Sequence, residues 1–345
     1  MGEHILVLDA GTTSTRAMTF APDGTVEAVA QKDLTQHYPK PGWVEHDAAE
    51  IWNKTLACAR EVVGGDAGRI AAIGITNQRE TVVAWDRASG EPLTRAIVWQ
   101  DRRTAEFCAG MKEYGHEAEV QKRTGLLLDP YFSGTKMRWL LDHDEGVRAA
   151  AAQGTLAFGT VESWLVFKLS GGAHLSDASN ASRTLLLALE GAQFDEDMCE
   201  LFGVPRTTLP EVVDTHGRLA ECNADLLGAA IPICGLAGDQ QSATIGQGCL
   251  AFGETKATYG TGAFVLTNKG RDIPHSDHRL LGTVLYQENG TRTYAIEGAC
   301  FVAGSLVQYL RAQLGLIGDA AETEELARSI EDSGEVVIVP ALAGL

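Results

Sequence analysis

A short segment near the N-terminus carries the residue types that bind phosphate groups. Residues 9–16 read Asp-Ala-Gly-Thr-Thr-Ser-Thr-Arg. The turn amides and adjacent hydroxyls can donate hydrogen bonds to phosphate oxygens, Arg16 adds a cation, and Asp9 can hold Mg²⁺ directly or through water. The hydroxyl side chains in question are those of Thr12, Thr13 and Ser14. The same residues also suit an ordinary polar hairpin turn, so the segment alone supports both interpretations.

The charge of the chain excludes several classes of partner. Its 345 residues include 28 basic and 46 acidic side chains, which leave a formal charge of -18. Such a surface repels the backbone of nucleic acids and anionic membranes alike. A phosphorylated ligand would therefore have to be held by local backbone donors and a few placed cations. The hydrophobic content of 45% is enough for two packed domains.

The cysteines and the apolar segments indicate a cytoplasmic protein. The seven cysteines are scattered and never form a C-x-x-C pair, which argues against a disulfide framework and a structural zinc site. No apolar stretch has the length of a membrane span, so we expect no integral membrane segment. The sequence leaves the oligomeric state open, a homo-oligomer included.

The first part of the chain predicts a three-strand meander, a helix and a further strand. Strands are expected over 4–9, 16–20 and 25–31, where glycine turns separate alternating residues. The apolar spacing predicts an amphipathic helix over 48–63 and a buried strand over 69–76. The element order is therefore βββαβ.

A similar order returns in the second part of the chain. Residues 256–262 read as a strand and a glycine turn, 263–268 and 294–297 as strands, and 301–313 as a helix. We interpret this as an internal structural repeat at the scale of a domain. Two such units facing each other would form a cleft, and interdomain clefts are common ligand sites.

The boundary between the two units is predicted near residue 248. An apolar strand over 231–239 ends in a carboxylate, and 240–247 begins the crossing into the second unit. This gives domains over 1–247 and 248–345. The sequence has no G-x-x-x-x-G-K-[ST] phosphate loop, so any ATP would have to be held by the two glycine turns.

Several ordered motifs resemble one family of kinases. They occupy residues 9–16, 38–47, 74–80, 97–103, 129–136, 238–241 and 259–262. The chain resembles the glycerol kinases of the FGGY carbohydrate kinase family from residue 5 onwards. The resemblance implies an α/β fold with two ribonuclease-H-like (actin/hexokinase-type ATPase) domains around a central cleft. It also implies phosphorylation of glycerol by Mg-ATP to sn-glycerol 3-phosphate, with ATP and Mg²⁺ as cofactors.

By this resemblance, a set of polar and aromatic residues would bind glycerol. Arg79 and Glu80 are neighbours and would face opposite sides of a regular strand, so both can reach one ligand only if the strand has already ended. A surface ion pair at a strand end is the alternative reading of the two. The remaining residues implied to contact glycerol hydroxyls or carbons are Trp99, Tyr131, Asp239, Gln240 and Phe264.

The resemblance also assigns the chemistry and the nucleotide side. Phosphoryl transfer needs a group that accepts the proton of the attacking hydroxyl, and a carboxylate at a strand end, Asp239, suits that role. A helix N-cap is the alternative reading of Asp239. Thr261, Gly304 and Gln308 match positions that contact ADP or ATP in the family, although the last two also suit a buried helix with small residues for packing.

The sequence departs from the family in two places. Position 10 is Ala where many glycerol kinases have Gln, and 335–345 reads as a buried strand entering a glycine loop from which the family continues. We therefore expect a C-terminally truncated chain with an incomplete second domain. Two further readings stay open at this stage. The chain could be a kinase of another polyol or ketose, or a fragment that binds glycerol without turnover.

Overall fold

The computed structural model describes residues 2–260 and 262–339. The strands before residue 250 are β1 (His4–Ala10), β2 (Ser14–Phe20), β3 (Val26–Asp33), β4 (Glu45–His46), β5 (Ile70–Asn77), β6 (Val83–Asp86), β7 (Ala96–Ile97), β8 (Leu156–Gly159), β9 (Leu175–Asp177), β10 (Glu211–Val213), β11 (His216–Cys222) and β12 (Ile231–Gly238). The helices of this part are α1 (Ala48–Val63), α2 (Ala105–Glu113), α3 (Glu117–Thr124), α4 (Ser133–His143), α5 (Glu145–Gln153), α6 (Val161–Ser170), α7 (Ala178–Ala181), α8 (Glu196–Phe202), α9 (Ala224–Leu227) and α10 (Asp239–Gly246). The later elements are β13 (Thr255–Tyr259), β14 (Ala263–Gly270), β15 (Leu281–Glu288), β16 (Thr291–Cys300), α11 (Gly304–Ala312) and α12 (Glu322–Arg328).

A mixed sheet organises the first domain. Its order is β11-β12-β5-β1-β2-β3, with β1, β5 and β12 parallel to one another and the remaining neighbours antiparallel. The predicted βββαβ order is confirmed here, since β1, β2, β3, α1 and β5 follow in that sequence along the chain. Alternate residues of β1 and β2 point into the core, as expected for strands with one covered face.

Local signals in the sequence set the ends of α1. The Asp47 carboxylate accepts hydrogen bonds from the amides of Ala49 and Glu50, which satisfies donors that a helix N-terminus leaves free. Gly64 ends the helix with φ of 63°, a conformation in which glycine carries no side-chain penalty. The buried face of α1 packs against the sheet beside the apolar residues of β1 and β5.

The parallel strands bring three chain segments to one edge of the sheet. In the ladders, Ala10 of β1 pairs with Asn77 of β5, and Asn77 pairs with Gly238 of β12. The residues that follow each strand therefore leave the sheet side by side. This register places the 11–14 turn, the Arg79–Glu80 pair and Asp239 in one region, because carboxyl ends of parallel strands share an edge.

The second domain begins with a four-stranded antiparallel sheet of order β13-β14-β16-β15. The strands predicted over 256–262, 263–268 and 294–297 correspond to β13, β14 and β16. The sequence pattern did not predict strand β15. This strand pairs with β16 as a hairpin whose turn contains Asn289 at φ of 49°. Leu281, Val284 and Tyr294 of this hairpin join a core that also contains residues of the first domain.

The strand predicted after residue 334 is wrong for the residues described. Val336–Val339 have no ladder partner among the described strands, and their side chains are 62–83% exposed. A strand is stable in water only when a neighbour satisfies its backbone groups and another layer covers one face. Neither condition is met at these four residues, and the rest of the predicted segment, 340–345, lies outside the described residues.

Candidate functional site

The turn after β5 carries Arg79 and Glu80 into the space between the domains. The strand ends at Asn77, so the alternation of a strand no longer applies two residues later. Glu80 has φ of 62°, in the left-handed region that non-glycine residues adopt at an energetic cost. Both side chains are almost fully buried on the same side of the sheet edge. The reading of a surface ion pair is therefore wrong.

Arg79 is the centre of a buried group of polar side chains. Its Nη1 and Nη2 donate to the two carboxylate oxygens of Glu297 at 2.6 and 3.0 Å. Nη2 also donates to the Tyr131 hydroxyl at 3.3 Å, while Nε lies 3.4 Å from Asp239 Oδ1. We call the set comprising Arg79, Glu80, Tyr131, Arg183, Asp239 and Glu297 the polar cluster. Burial alone would lower the pKa of Arg79, but the Glu297 carboxylate holds that pKa well above its ordinary value.

Two members of the polar cluster were missed by the sequence analysis. Arg183 donates from Nε to Glu80 at 2.6 Å and from Nη2 to Glu297 at 3.0 Å, and both Arg183 and Glu297 are fully buried. Burial would raise the pKa of Glu297, but the two guanidinium groups outweigh it and lower that pKa. Glu297 directly follows the apolar residues 294–296 of β16, and this was the signal that could have identified it, since an unpaired charge in such a strand is costly.

Lys136, a residue of α4, holds the backbone carbonyls of Glu80 and Tyr131 in place. Its buried ammonium group donates to the carbonyl of Tyr131 and, at 3.4 Å, to the carbonyl of Glu80. The Ser133 hydroxyl donates to the same Glu80 carbonyl at 3.1 Å. Burial lowers the pKa of Lys136 to about 8. The left-handed turn at Glu80 is thus stabilised by side chains from α4.

Asp239 is the first residue of α10 and lies at the wall of the cleft. Its side chain is 38% exposed, whereas Arg79 and Glu80 beside it are buried. Burial by the surrounding protein raises the pKa of Asp239 to about 6, and Arg79 opposes that rise. The N-cap of α10 is Gly238 and not Asp239, so the N-cap reading is wrong. The carboxylate accepts only from the amide of Gln240, at 2.7 Å, among the hydrogen bonds of the described residues.

Aromatic rings form one side of the cleft beside the polar cluster. Trp99 lies edge-on to Tyr131 and Phe264, with ring centroids 5.8 and 6.3 Å apart. Phe301, which the sequence analysis did not assign to the site, lies 5.0 Å from Tyr131 and 6.3 Å from Trp99. The guanidinium of Arg79 lies 5.9 Å from the Phe264 ring. Polar and apolar surfaces thus face the same small space, as a polyol would require.

The turn between β1 and β2 lies next to this aromatic wall. The Gly11 amide donates to the Ser14 carbonyl at 3.0 Å, which closes the turn. Trp99 Nε1 donates to the Thr12 hydroxyl at 2.8 Å, so the wall and the turn are bonded directly. Thr13 is exposed and Ser14 is half-buried.

Asp9 and Arg16 lie opposite each other in the ladder between β1 and β2. Burial raises the pKa of Asp9, and the neighbouring Arg16 charge opposes the rise. Asp9 and Asp239 both line a groove of about 940 Å³ that lies over one face of the sheet, across β2, β1, β5 and β12. Within residues 2–260 and 262–339, no group of three His, Cys, Asp or Glu side chains comes together in a way that could hold a metal ion.

Gln240 is held from the second domain. Its side-chain oxygen accepts from Lys256 Nζ at 2.5 Å, and the same ammonium donates to the Thr258 hydroxyl at 2.8 Å. Lys256 is almost fully buried, and burial lowers its pKa to about 8. A cation therefore lies at the junction of the two domains, bonded to the residue that follows Asp239 in the chain.

The glycine turn of the second domain meets the start of α11. The Gly304 amide donates to the Gly260 carbonyl at 2.9 Å, and a Cβ at Gly304 would lie only 2.6 Å from that oxygen. This close approach requires glycine at position 304. Gln308 is exposed on α11, and no residue of that helix is buried, so the reading of a packed core helix is wrong. Thr261 lies outside the described residues.

A search of the described helices finds none that combines the length and apolar character of a membrane span.

Comparison with known proteins identifies the family. Residues 4–246 match the N-terminal domain of the FGGY family of carbohydrate kinases, and 255–345 match its C-terminal domain. Curated glycerol kinases from Dechloromonas aromatica and Rhodospirillum rubrum are each 54% identical over 99% of this chain, which spans 69% and 70% of their respective lengths.

Solved structures support the same relationship. The structure of Plasmodium falciparum glycerol kinase with ADP is 35% identical and has a TM-score of 0.90, covering 99% of this chain and 70% of that one. Xylulose kinase from Rhodospirillum rubrum is 25% identical, with a TM-score of 0.85 over the same shares. The expected two-domain α/β fold is confirmed by these matches. The chain belongs to the FGGY family of carbohydrate kinases.

Proposed function

We propose that this chain phosphorylates glycerol with ATP, forming sn-glycerol 3-phosphate and ADP. The observation that carries the proposal is the position of Asp239, which lies 3.4 Å from Arg79 Nε in the polar cluster and lines the same groove as Asp9, two residues before the 11–14 turn. A proton acceptor, a set of hydroxyl-binding groups and a phosphate-binding turn therefore share one cleft. The high identity to curated glycerol kinases over nearly the whole chain supports glycerol as the acceptor.

Glycerol presents three hydroxyls that both donate and accept hydrogen bonds, on a short carbon chain. Arg79 offers its Nε edge as a donor, and the carboxylates of Glu80 and Asp239 accept. The Tyr131 hydroxyl can do either. Trp99 and Phe264 cover the carbon atoms, and Gln240 assists from the start of α10. We call this space the acceptor site.

Asp239 acts as the general base. Its carboxylate receives the proton of the attacking hydroxyl while orienting that oxygen toward the γ-phosphorus. Its contact with Arg79 Nε, at 3.4 Å, is longer than a normal hydrogen bond, so an oxygen of the carboxylate stays available for the hydroxyl. Orientation and charge neutralisation supply most of the rate in phosphoryl transfer, and closure around the ligands excludes competing water.

The two glycine turns hold the nucleotide. Backbone amides and the hydroxyls of Thr12, Thr13 and Ser14 bind phosphate oxygens from the first domain, and Arg16 adds positive charge. Thr261, Gly304 and Gln308 contact the nucleotide from the second domain. Asp9 would hold Mg²⁺ directly or through water, and the ion would supply neutralisation of phosphate charge. The donor set fits such an ion, since Mg²⁺ takes one or two carboxylates together with phosphate oxygens.

The two domains of the proposal are 1–247 and 248–345. This boundary lies in the interval between the two family-model matches, which end at 246 and begin at 255. In the structure, α10 ends within that first match and β13 begins the second.

A coupled assay of ADP formation tests the function. We expect ADP to form from Mg-ATP only when glycerol is present, and the product to be sn-glycerol 3-phosphate by a stereospecific dehydrogenase readout. Erythritol and xylulose serve as competing acceptors, and glycerol should show the highest kcat/KM. A higher kcat/KM on xylulose would assign the chain to another kinase of the family, and absence of glycerol-dependent ADP formation would refute the proposal.

A further inference from the structure

Glu297 belongs to the second domain, yet its carboxylate is bonded to the central residue of the acceptor site. It lies on β16 and is fully buried. Both of its oxygens accept from the Arg79 guanidinium, at 2.6 Å from Nη1 and 3.0 Å from Nη2. This is the two-pronged geometry in which arginine and carboxylate bind most strongly. The two terminal nitrogens of Arg79, its fork, are therefore held chiefly by Glu297, with longer bonds from Nη1 to Gln241 Oε1 at 3.2 Å and from Nη2 to the Tyr131 hydroxyl at 3.3 Å.

Arg79 presents a different edge to Asp239. The Nε atom lies 3.4 Å from Asp239 Oδ1, beyond the usual hydrogen-bond distance between these atom types. An unrestrained fork would match the Asp239 carboxylate as well as it matches Glu297, since both are planar carboxylates within reach of one side chain. A two-pronged Arg79–Asp239 pair would occupy the oxygens that the attacking hydroxyl needs.

We propose that Glu297 is a positioning residue for phosphoryl transfer, which holds the Arg79 fork so that the Asp239 carboxylate remains free to accept the proton of the acceptor hydroxyl. The inference rests on the proposed function, since it takes Asp239 as the base. Glu297 does not touch the substrate in this role. It acts from the second domain through Arg79.

Arg183 completes the arrangement. It donates to Glu80 at 2.6 Å and to Glu297 at 3.0 Å, so it fixes the two carboxylates that flank Arg79. The two arginines and two glutamates carry balanced charge. This balance explains how four ionised side chains are accommodated out of contact with water, because each charge has an opposite partner at hydrogen-bond distance.

The charged groups around Asp239 determine how a substitution at Glu297 would change the pKa of Asp239. Arg79 and Glu80 face it from the turn after β5, Asp9 from β1, and Lys256 from β13. Burial raises the pKa of Asp239, and Arg79 is the group that opposes the rise most strongly. Release of the Arg79 fork would bring its charge closer to Asp239. The pKa of Asp239 would then fall, because an adjacent cation favours the ionised carboxylate.

The test compares Glu297→Gln with the matched control Glu288→Gln. Glu288 lies on the neighbouring strand β15, and its side chain is 52% exposed. For Glu297→Gln we expect kcat with glycerol to fall by at least about tenfold and the acid limb of kcat/KM to move down by about one pH unit. The KM for ATP should stay within about twofold of wild type, since the change does not touch the phosphate turns. Glu288→Gln should match wild type in all three quantities.

Two further variants distinguish a loss of positioning from a simple loss of folding. Glu297→Gln leaves two buried guanidinium groups facing one glutamate, whereas the double variant Glu297→Gln/Arg183→Gln keeps the charges balanced. Glu297→Asp keeps the carboxylate but shortens its reach. We expect the double variant to reproduce the acid-limb shift and Glu297→Asp to give an intermediate one. An unchanged or upward-shifted acid limb in any folded member of this set would overturn the inference.

A titration that needs no turnover separates this inference from the proposed function. Aspartate ¹³C-carboxyl NMR, assigned with Asp239→Asn, follows Asp239 in wild type and in the Glu297 variants. Absence of glycerol-dependent ADP formation by wild type would reject only the kinase assignment. A lower titration point of Asp239 in the Glu297 variants would still support the positioning role, and an unchanged or higher one would reject it.

Discussion

The guanidinium of Arg79 and the carboxylate of Glu297 are joined by two hydrogen bonds that cross from the first domain to the second. Phe264 and Phe301 add second-domain rings to the same site. The acceptor site is therefore built by both domains, although most of its polar groups come from the first. Binding of the acceptor and approach of the nucleotide domain are thus linked through shared side chains.

Replacement of Asp239 by Asn tests its role as the base. Asparagine keeps the size and can still meet a hydroxyl, but it cannot accept the proton, so kcat should fall by at least about a thousandfold. Glycerol affinity, measured by calorimetry without nucleotide, should change by less than about tenfold. Asp277→Asn, on a side chain that is 87% exposed, is the matched control. Near-normal turnover of Asp239→Asn would remove Asp239 from the mechanism.

The pH dependence of the reaction should report the same group. Burial raises the pKa of Asp239 to about 6, and the base works only when deprotonated. Activity is therefore expected to be full above that pKa and to decrease as pH falls through it. A plot of log kcat/KM for glycerol should show a slope approaching one below about pH 6. A profile that stays flat down to pH 4.5 would contradict this assignment.

Lys136→Met tests the support beneath Glu80. Methionine fills much of the same volume, but the carbonyls of Tyr131 and Glu80 lose a charged donor in a buried place. We expect the free energy of unfolding in urea to fall by about 2 kcal/mol and the KM for glycerol to rise. Lys122→Met, at an exposed position of α3, is the control. Equal stability of the two variants would show that the Lys136 contacts contribute little.

Trp99→Phe tests the bond between the aromatic wall and the phosphate turn. Phenylalanine keeps an apolar ring but lacks the Nε1 donor that meets Thr12 at 2.8 Å. The loss of one hydrogen bond, about 1 kcal/mol, should raise the KM for ATP about fivefold. Trp52→Phe, at a partly buried position of α1 that packs against the core, should leave that KM unchanged. A rise confined to the KM for glycerol would show that Trp99 acts only on the acceptor.

Elements with strong local signals could be predicted from the sequence. The alternation of β1 and β2, the amphipathic helix α1 and the strand that ends at Asn77 all arise from neighbours in the chain, and each lies within a residue or two of its expected position. The left-handed turn at Glu80 has no such signal, because a non-glycine residue is held there by Ser133 and Lys136 from a distant helix.

Contacts between residues far apart in the chain account for the remaining features that the sequence did not predict. Arg79 could be identified as a site residue, but its partner Glu297 lies 218 positions further along the chain. No local pattern in either segment indicates that the two residues pair. The same applies to β15, whose residues are buried by first-domain contacts that the sequence does not display. The exposed 336–339 segment shows the converse. An apolar β-prone sequence does not form a strand where no neighbour accepts its hydrogen bonds.

The charge balance of the acceptor site has a consequence for selectivity. Arg79 and Arg183 are matched by Glu80 and Glu297, and the Lys256 ammonium beside Gln240 offsets the Asp239 carboxylate, so the site is close to electrically neutral before any ligand enters. An anion of similar shape, such as glycerate, or a cation such as an aminodiol would bring an uncompensated charge out of water. Glycerol brings none. The site thus distinguishes small polyols from their charged analogues by the cost of desolvation, without requiring any steric clash.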